Sequence, residues 1–254
     1  MSENHDYLLV EREGAVITLT LNNPEKSNSL HPVLVKRLSA QLDEIAGSEE
    51  INAVIVTGAG KHFCAGLDLS LLMDLQAEEK DVYLHGVTDI FDKLWTLPQP
   101  VIAAVNGAAI AGGFDLAAFC DIRLAARGAI FGQAEINVGL VQIIHPLYKT
   151  IGLARAKELA MLGEPISAEE AYRIGLVNHL YERDELMLKA QQMARKLAAK
   201  PRQALFETKR LTRELIDMDT KAALEEIRAT LRRCFNSEEH KTRVAEVLAG
   251  LKKR

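Results

Sequence analysis

The sequence predicts an α/β fold built from short buried strands that alternate with helices. Three observations carry this reading. Short buried strands are read at Asn52–Thr57, Val101–Val105 and Cys120–Ala125, bounded by turn residues. Between them lie segments with helical apolar spacing, such as Leu34, Leu38, Leu42 and Ile45. The chain has 254 residues, 48% of them apolar, enough for a large core in one domain or in one domain with a small appendage. Strands separated by helices require crossover connections.

The elements follow in order. Tyr7–Val10 and Ala15–Leu21 read as strands around the Glu13-Gly14 turn, the second ended by Asn22-Asn23-Pro24. His31–Ile45 is a helix and Asn52–Thr57 a β-branched strand running into Gly58-Ala59-Gly60. Asp81–Leu97 is a long helix stopped by Pro98 and Pro100. Val101–Val105 is a buried strand that leads through a glycine turn into the helix carrying Asp115. Cys120–Ala125 is a further strand, and Phe131–Leu140 places Glu135 in a glycine-flanked loop after a short strand. From about Ile151 the pattern changes. Leu153–Leu162 and Ala168–Ile174 read as helices and Leu176–Leu180 as a last short strand. Amphipathic helical patterns then cover Asp184–Lys200, Arg202–Leu215, Lys221–Cys234 and Glu238–Leu251. This tail cannot form much of a core alone, so it packs on the α/β part or on a neighbouring subunit.

Composition narrows the function classes. A formal charge of −4 argues against nucleic acid as the main partner. Three cysteines, Cys64, Cys120 and Cys234, point to a reduced, cytoplasmic compartment. The start Met1-Ser2-Glu3-Asn4-His5-Asp6 has no signal-peptide core, and no apolar run approaches a membrane span. The basic end Leu251-Lys252-Lys253-Arg254 reads as a solvated tail within possible reach of a phosphate.

The chemistry centres on Gly112-Gly113-Phe114-Asp115 and Glu135. A backbone N–H at a helix start lacks an intrahelical partner and points outward, where it stabilises developing negative charge. Asp115 lies about one turn beyond Gly112 and shares its face. In Phe63-Cys64-Ala65-Gly66-Leu67-Asp68, the small Ala65 and Gly66 let backbone approach a ligand, and the Leu67 N–H offers a second donor. Glu135 is the second candidate acid/base, since a carboxyl in an apolar pocket has a raised pKa suited to proton transfer.

Other motifs read as structural. Gly58-Ala59-Gly60-Lys61 fails as a phosphate loop, because Ile55 replaces the first glycine and His62 the required Ser or Thr. Cys64 is by default a buried free thiol. His145, before Pro146, is structural or pocket-lining. The seven histidines show no metal-ligand spacing.

Taken together, the segments resemble the crotonase family, the enoyl-CoA hydratase/isomerase superfamily. The resemblance runs through Phe63–Leu69, Pro100–Gly107, Ala111-Gly112-Gly113, Cys120-Asp121-Ile122-Arg123 and Phe131–Glu135, and later Ile166-Ser167-Ala168 and Gly175-Leu176-Val177. It implies a crotonase-like (ClpP/crotonase) spiral of repeated ββα units over residues 1–195. A helical C-terminal trimerisation region over residues 196–254 would pack on the core or on a neighbouring subunit. It further implies an acyl-CoA substrate, a homotrimer or a hexamer of two trimers, no metal, no nucleic acid or membrane partner, and no cofactor beyond the CoA of the substrate. The reaction implied is water addition to, or a shift of, a double bond through an enolate, in fatty-acid or related acyl-CoA degradation.

By position, Leu67 and Gly112 supply the oxyanion N–H groups, and Glu135 and Asp115 are the catalytic carboxyls. Lys26, Ala65, Gly66, Leu67, Asp68, Leu69, Ser70 and Gly112 contact CoA or substrate. Two departures stand out. Position 115 is aspartate where hydratases carry glutamate, and Ile143 stands where dienoyl-CoA isomerases carry a third acid. Val141–Leu147 replaces a longer glycine-rich turn, which reshapes the acyl pocket. The alternatives are an acyl-CoA hydrolase or C–C bond-cleaving enzyme using His145, and a non-catalytic acyl-CoA- or RNA-binding member.

Overall fold

A computed structural model of the chain describes residues 5–251. The sequence readings for Met1–Asn4 and Lys252–Arg254 lie outside the described residues. The order begins with β1 (Leu8–Glu13), β2 (Val16–Leu21), α1 (Pro32–Gly47), β3 (Ala53–Gly58), α2 (Leu69–Asp74) and α3 (Ala77–Thr96). It continues with β4 (Val101–Val105), β5 (Ala109–Ile110), α4 (Gly112–Ala118), β6 (Ile122–Ala126), β7 (Ile130–Gly132), α5 (Leu147–Ile151) and α6 (Leu153–Leu162). It ends with β8 (Ile166–Ser167), α7 (Ala168–Arg173), β9 (His179–Tyr181), α8 (Leu186–Ala198), α9 (Arg202–Glu214), α10 (Thr220–Phe235) and α11 (Glu238–Leu251).

The large sheet runs β1-β2-β3-β4-β6-β9, parallel throughout except for the β1–β2 hairpin. Its middle strands are buried on both faces, which is why β3 and β4 are apolar at nearly every position. Alternate residues go to opposite layers. Val54, Val56, Ala103 and Val105 join the core under α1 and α3. Ala53, Ile55, Ile102 and Ala104 meet Leu186, Ala190 and Ala194 of α8.

A second, small sheet runs β5-β7-β8, extended by a bridge from Cys64 to Ala109. Successive turns of the chain therefore repeat one pattern: a strand in the large sheet, a short strand or bridge in the small one, then a helix or helical turn. This is the spiral of ββα units. The α/β class and the helical C-terminal region stand as the sequence predicts.

Several local readings change. Strands β5 and β8, each of two residues, are too short to leave a pattern. Leu69 and Ser70, read as loop, begin α2, because the Asp68 carboxylate accepts the Leu71 N–H at 3.3 Å and caps the helix. The last strand is β9, not Leu176–Leu180. Leu176 and Val177 instead donate their N–H groups to Ala171 O, closing the end of α7.

Helix α9 docks through cations. Arg202 donates to Ser48 O at 2.6 Å and Ile51 O at 2.9 Å. The buried Lys209 ammonium meets Asp121 at 2.7 Å and Gln99 O at 3.0 Å. Replacing Lys209 by methionine keeps the stem but takes the cation from Asp121, which retains the Val101 N–H, and the donor from the carbonyls of Leu94 and Gln99. The expected loss of stability is about 3 kcal/mol, read from urea denaturation; an unchanged midpoint would contradict this docking role.

Candidate active site

The small sheet positions the site. Strands β5 and β7 are parallel neighbours, pairing Ala109 with Phe131 and Ile110 with Gly132. The chain leaves β5 into α4, which carries Asp115, and leaves β7 into a 3-10 turn over Glu135–Val138. Two carboxyls distant in sequence thus emerge at adjacent strand ends.

The loop after β3 is clamped against the start of α4. Phe63 and Cys64 donate to Ala108 O at 3.0 and 3.1 Å, and Ile110 donates to Cys64 O at 3.0 Å. Ala65 donates to Ser27 O and Leu30 to Gly66 O, at 3.0 and 2.8 Å. Gly66 has φ +82°, and a Cβ there would stand 2.9 Å from Gly112 N. A Cβ on Gly113 would stand 2.0 Å from Cys64 O. Only glycine allows these two approaches.

Ala111, at φ 53° and ψ −128°, turns the chain into α4. That conformation costs a side-chain-bearing residue about 1–3 kcal/mol. It is held by the Ala111 N–H donating to Gly132 O at 2.8 Å. Among the described residues, neither the Leu67 nor the Gly112 N–H has a protein acceptor. The packing of Gly66 on Gly112 N brings these two free donors onto one small area.

Asp115 is 1% exposed. Its Oδ1 accepts the Gln133 Nε2 donor at 3.3 Å, and its Oδ2 has no partner. Burial, and next the Glu135 charge, hold its pKa well above the ordinary carboxylate value. Burial likewise raises Glu135, whose Oε2 is also unpartnered. The Glu135 carboxyl is close enough for its charge to act on Asp115. Such a pair retains a proton where isolated carboxyls would lose theirs.

The sequence reading missed two amides beside them. Gln133 is fully buried, and its Nε2 also donates to Ile143 O at 3.1 Å. The buried Gln142 donates to Gln133 O at 2.9 Å. The Oε1 atoms of both are buried without partners. A glutamine inside the apolar run Val141–Ile144 was the available signal, because an amide there must find partners once buried.

The remaining predicted residues form a rim. Lys26, exposed at the end of a 3-10 turn over Pro24–Lys26, faces Asp68. The Ser70 hydroxyl, the Leu71 N–H and the Lys26 charge hold Asp68 below the ordinary carboxylate range. Ala65 and Leu67 are half-buried, while Leu69 and Ser70 are exposed on α2.

His145 packs among aromatic rings. Its exposed ring packs edge-on against Trp95, with centroids 5.6 Å apart, and its pKa is lowered by burial and by Lys149. Ile143 is half-buried and serves through its carbonyl. Cys64 is a core residue whose thiol burial pushes up to about 12. Among the described residues no three His, Cys, Asp or Glu side chains cluster as metal ligands, and no helix is long and apolar enough to cross a membrane. Chemically, the site sets two free N–H donors near each other and two carboxyls of raised pKa close together.

Comparison with known proteins shows what the chain as a whole is similar to. A family model described as enoyl-CoA hydratase/isomerase matches residues 11–252. The short-chain-enoyl-CoA hydratase of Clostridium acetobutylicum is 35% identical over 92% of this chain and 91% of its own. The crotonyl-CoA hydratase of Syntrophomonas wolfei is 30% identical over 93% of both. The crystal structure of an enoyl-CoA hydratase from Bacillus anthracis superposes with a TM-score of 0.93 at 31% identity, covering 98% of this chain and 97% of that one.

A raised Asp115 pKa has a thermodynamic consequence. The folded chain keeps a proton that the unfolded chain releases near the ordinary value of 3.8. Stability therefore falls as pH rises from there through the folded pKa. Asp115→Asn escapes that loss, so its melting temperature should gain on the wild type as pH rises from acid to neutral. Thermal denaturation by circular dichroism checks this, and a gap that stays constant with pH would contradict it.

Proposed function

The chain belongs to the enoyl-CoA hydratase/isomerase family, and from that premise we propose that it adds water to a 2-enoyl-CoA at the site formed by Leu67, Gly112, Asp115 and Glu135. It is an enzyme of the enoyl-CoA hydratase/isomerase type, acting on an acyl-CoA thioester. The observation that carries water addition is the pair of facing carboxyls with unpartnered oxygens, Asp115 Oδ2 and Glu135 Oε2. Two acceptors side by side can hold one water by both its hydrogens.

The thioester oxygen lies between the Leu67 and Gly112 N–H groups. The water oxygen bonds to Cβ and gives a proton to one carboxyl. The double-bond electrons move to the thioester as an enolate, which the two N–H groups stabilise. The enolate collapses as Cα takes a proton from the other carboxyl. Glu135 is the principal proton-transfer group, and Asp115 holds the water or shuttles the proton. The step is redox-neutral and uses no cofactor beyond the CoA of the substrate. Each N–H donor contributes about 3–4 kcal/mol to stabilising the enolate-like transition state.

Lys26 and the stretch Ala65–Ser70 contact the CoA portion. Their shared rim, with Lys26 close enough to bias Asp68, supports this placement. A double-bond shift is the second reading, favoured by the short Asp115 arm, since it needs the same enolate but no water. The reaction serves acyl-CoA degradation in the cytoplasm. The helical region read over residues 196–254 packs on the core and on neighbouring subunits in a trimer or a pair of trimers. Leu224, Leu231, Phe235 and Val247 of α10 and α11 are exposed in the single chain, which supports that assembly.

With purified protein and crotonyl-CoA, loss of the enoyl thioester absorbance should be observed. Glu135→Gln should lower kcat/KM by about 10²–10⁴ while still folding. Absence of hydration by the wild type, or full activity of Glu135→Gln, would contradict the reading. Light scattering should give the mass of three or six subunits; a monomer would contradict the assembly.

A further inference from the structure

We propose that Tyr83 is a positioning residue of the oxyanion loop: its hydroxyl bridges Leu30 and Asp68 and so fixes the direction of the Leu67 N–H. The proposal rests on the reading of Leu67 as an oxyanion donor and deepens it by naming what aims that donor.

The peptide groups on both sides of Leu67 are tied down. The Leu67 N–H shares one planar trans peptide with the Gly66 carbonyl, and the two point in opposite directions. Leu30 N–H donates to that carbonyl at 2.8 Å, which sets the line of the Leu67 N–H. The next peptide is held from its other end, because Asp68 N–H donates to the Tyr83 hydroxyl oxygen at 3.3 Å. Tyr83 in turn donates its hydroxyl hydrogen to Leu30 O. Leu30 O can only accept and Asp68 N–H can only donate, so both roles of the hydroxyl are fixed. One phenol thus holds the second peptide itself and the first through Leu30. Leu30 is also fully buried against the other donor, since a Cβ on Gly112 would stand 3.2 Å from Leu30 Cδ1.

The phenol stands on a rigid base. Tyr83 is 5% exposed and belongs to the main core. Its helix, α3, is locked to α1 by Lys93 on Asp43 at 2.6 Å and by Ser39 on Asp89 at 2.9 Å. Helix α2, which follows the loop, has no buried residue and cannot hold the loop from that side. Burial pushes the Tyr83 phenol up to about 12, so its hydrogen stays in place across the neutral range. A buried phenol needs one partner, and Leu30 O supplies it. The second contact, to Asp68, is the one that reaches the loop.

Tyr83→Phe removes the oxygen and keeps the ring. Hydrogen exchange of the intact, ligand-free protein is read by mass spectrometry on a peptide covering residues 65–71. Exchange there should quicken by about tenfold in the variant; an unchanged rate overturns the proposal. The crotonyl-CoA kcat should fall by about 10–10²-fold while KM moves far less, because an aimed donor matters most where charge develops. A loss confined to KM, or an unchanged kcat, overturns the proposal. 4-Aminophenylalanine in place of Tyr83 keeps a donor for Leu30 O but accepts poorly from Asp68 N–H, so its kcat should lie between the two. It carries the test if the phenylalanine variant does not fold, and exchange and kcat equal to wild type there overturn the proposal. A wild type that does not hydrate crotonyl-CoA, with the loop still loosened by Tyr83→Phe, would instead overturn the hydratase reading and leave the tether standing.

Discussion

The rest of the site depends on the contact between Gly66 and the amide of Gly112. Two backbones meet there with no room for a side-chain atom. The contact forces the loop after β3 onto the first turn of α4, and so sets two unsatisfied N–H groups beside each other. It also dictates much of what surrounds it. The bridge from Cys64 to Ala109, the strained Ala111 and the close seat of Gly113 on Cys64 O all serve to hold the loop at that distance.

Around this contact the fold accepts unfavourable electrostatics and offsets them with packing. Asp115 and Glu135 resist ionisation, and four buried side-chain oxygens near them lack partners. Each unsatisfied buried acceptor costs about 1–3 kcal/mol. The large sheet supplies the compensation, because β3 and β4 are buried on both faces between the α1–α3 layer and α8. A site of coupled acids is stable only on such a rigid scaffold. The small sheet then translates strand order into chemistry, since β5 and β7 deliver the two carboxyls from adjacent ends.

Much of this was legible in the residues. Strands β3 and β4 declare themselves because parallel buried strands are nearly continuously apolar, and α1 and α3 because one face alternates at helical spacing. Gly112, Asp115 and Glu135 stand out because glycines and acids interrupt otherwise apolar stretches. The two-residue strands β5 and β8 were not legible, since their pairing depends on partners far along the chain. Gln133 and Gln142 were hidden for a different reason. An amide is informative only once its neighbours are known, and theirs, Asp115 and the carbonyls of Ile143 and Gln133, are assembled by tertiary structure. His145 shows the converse: a suggestive residue type that the fold places against Trp95 and Tyr148.

The central claim is that the N–H groups of Leu67 and Gly112 converge on one oxygen. The most direct measurement is the infrared carbonyl stretch of an unreactive thioester, butyryl-CoA labelled with carbon-13 at its carbonyl, bound to the intact protein. Two donors polarise the bond, so the stretch should move to lower frequency than that of the same ester in water. A bound ester whose carbonyl frequency equals or exceeds its value in water would contradict the account.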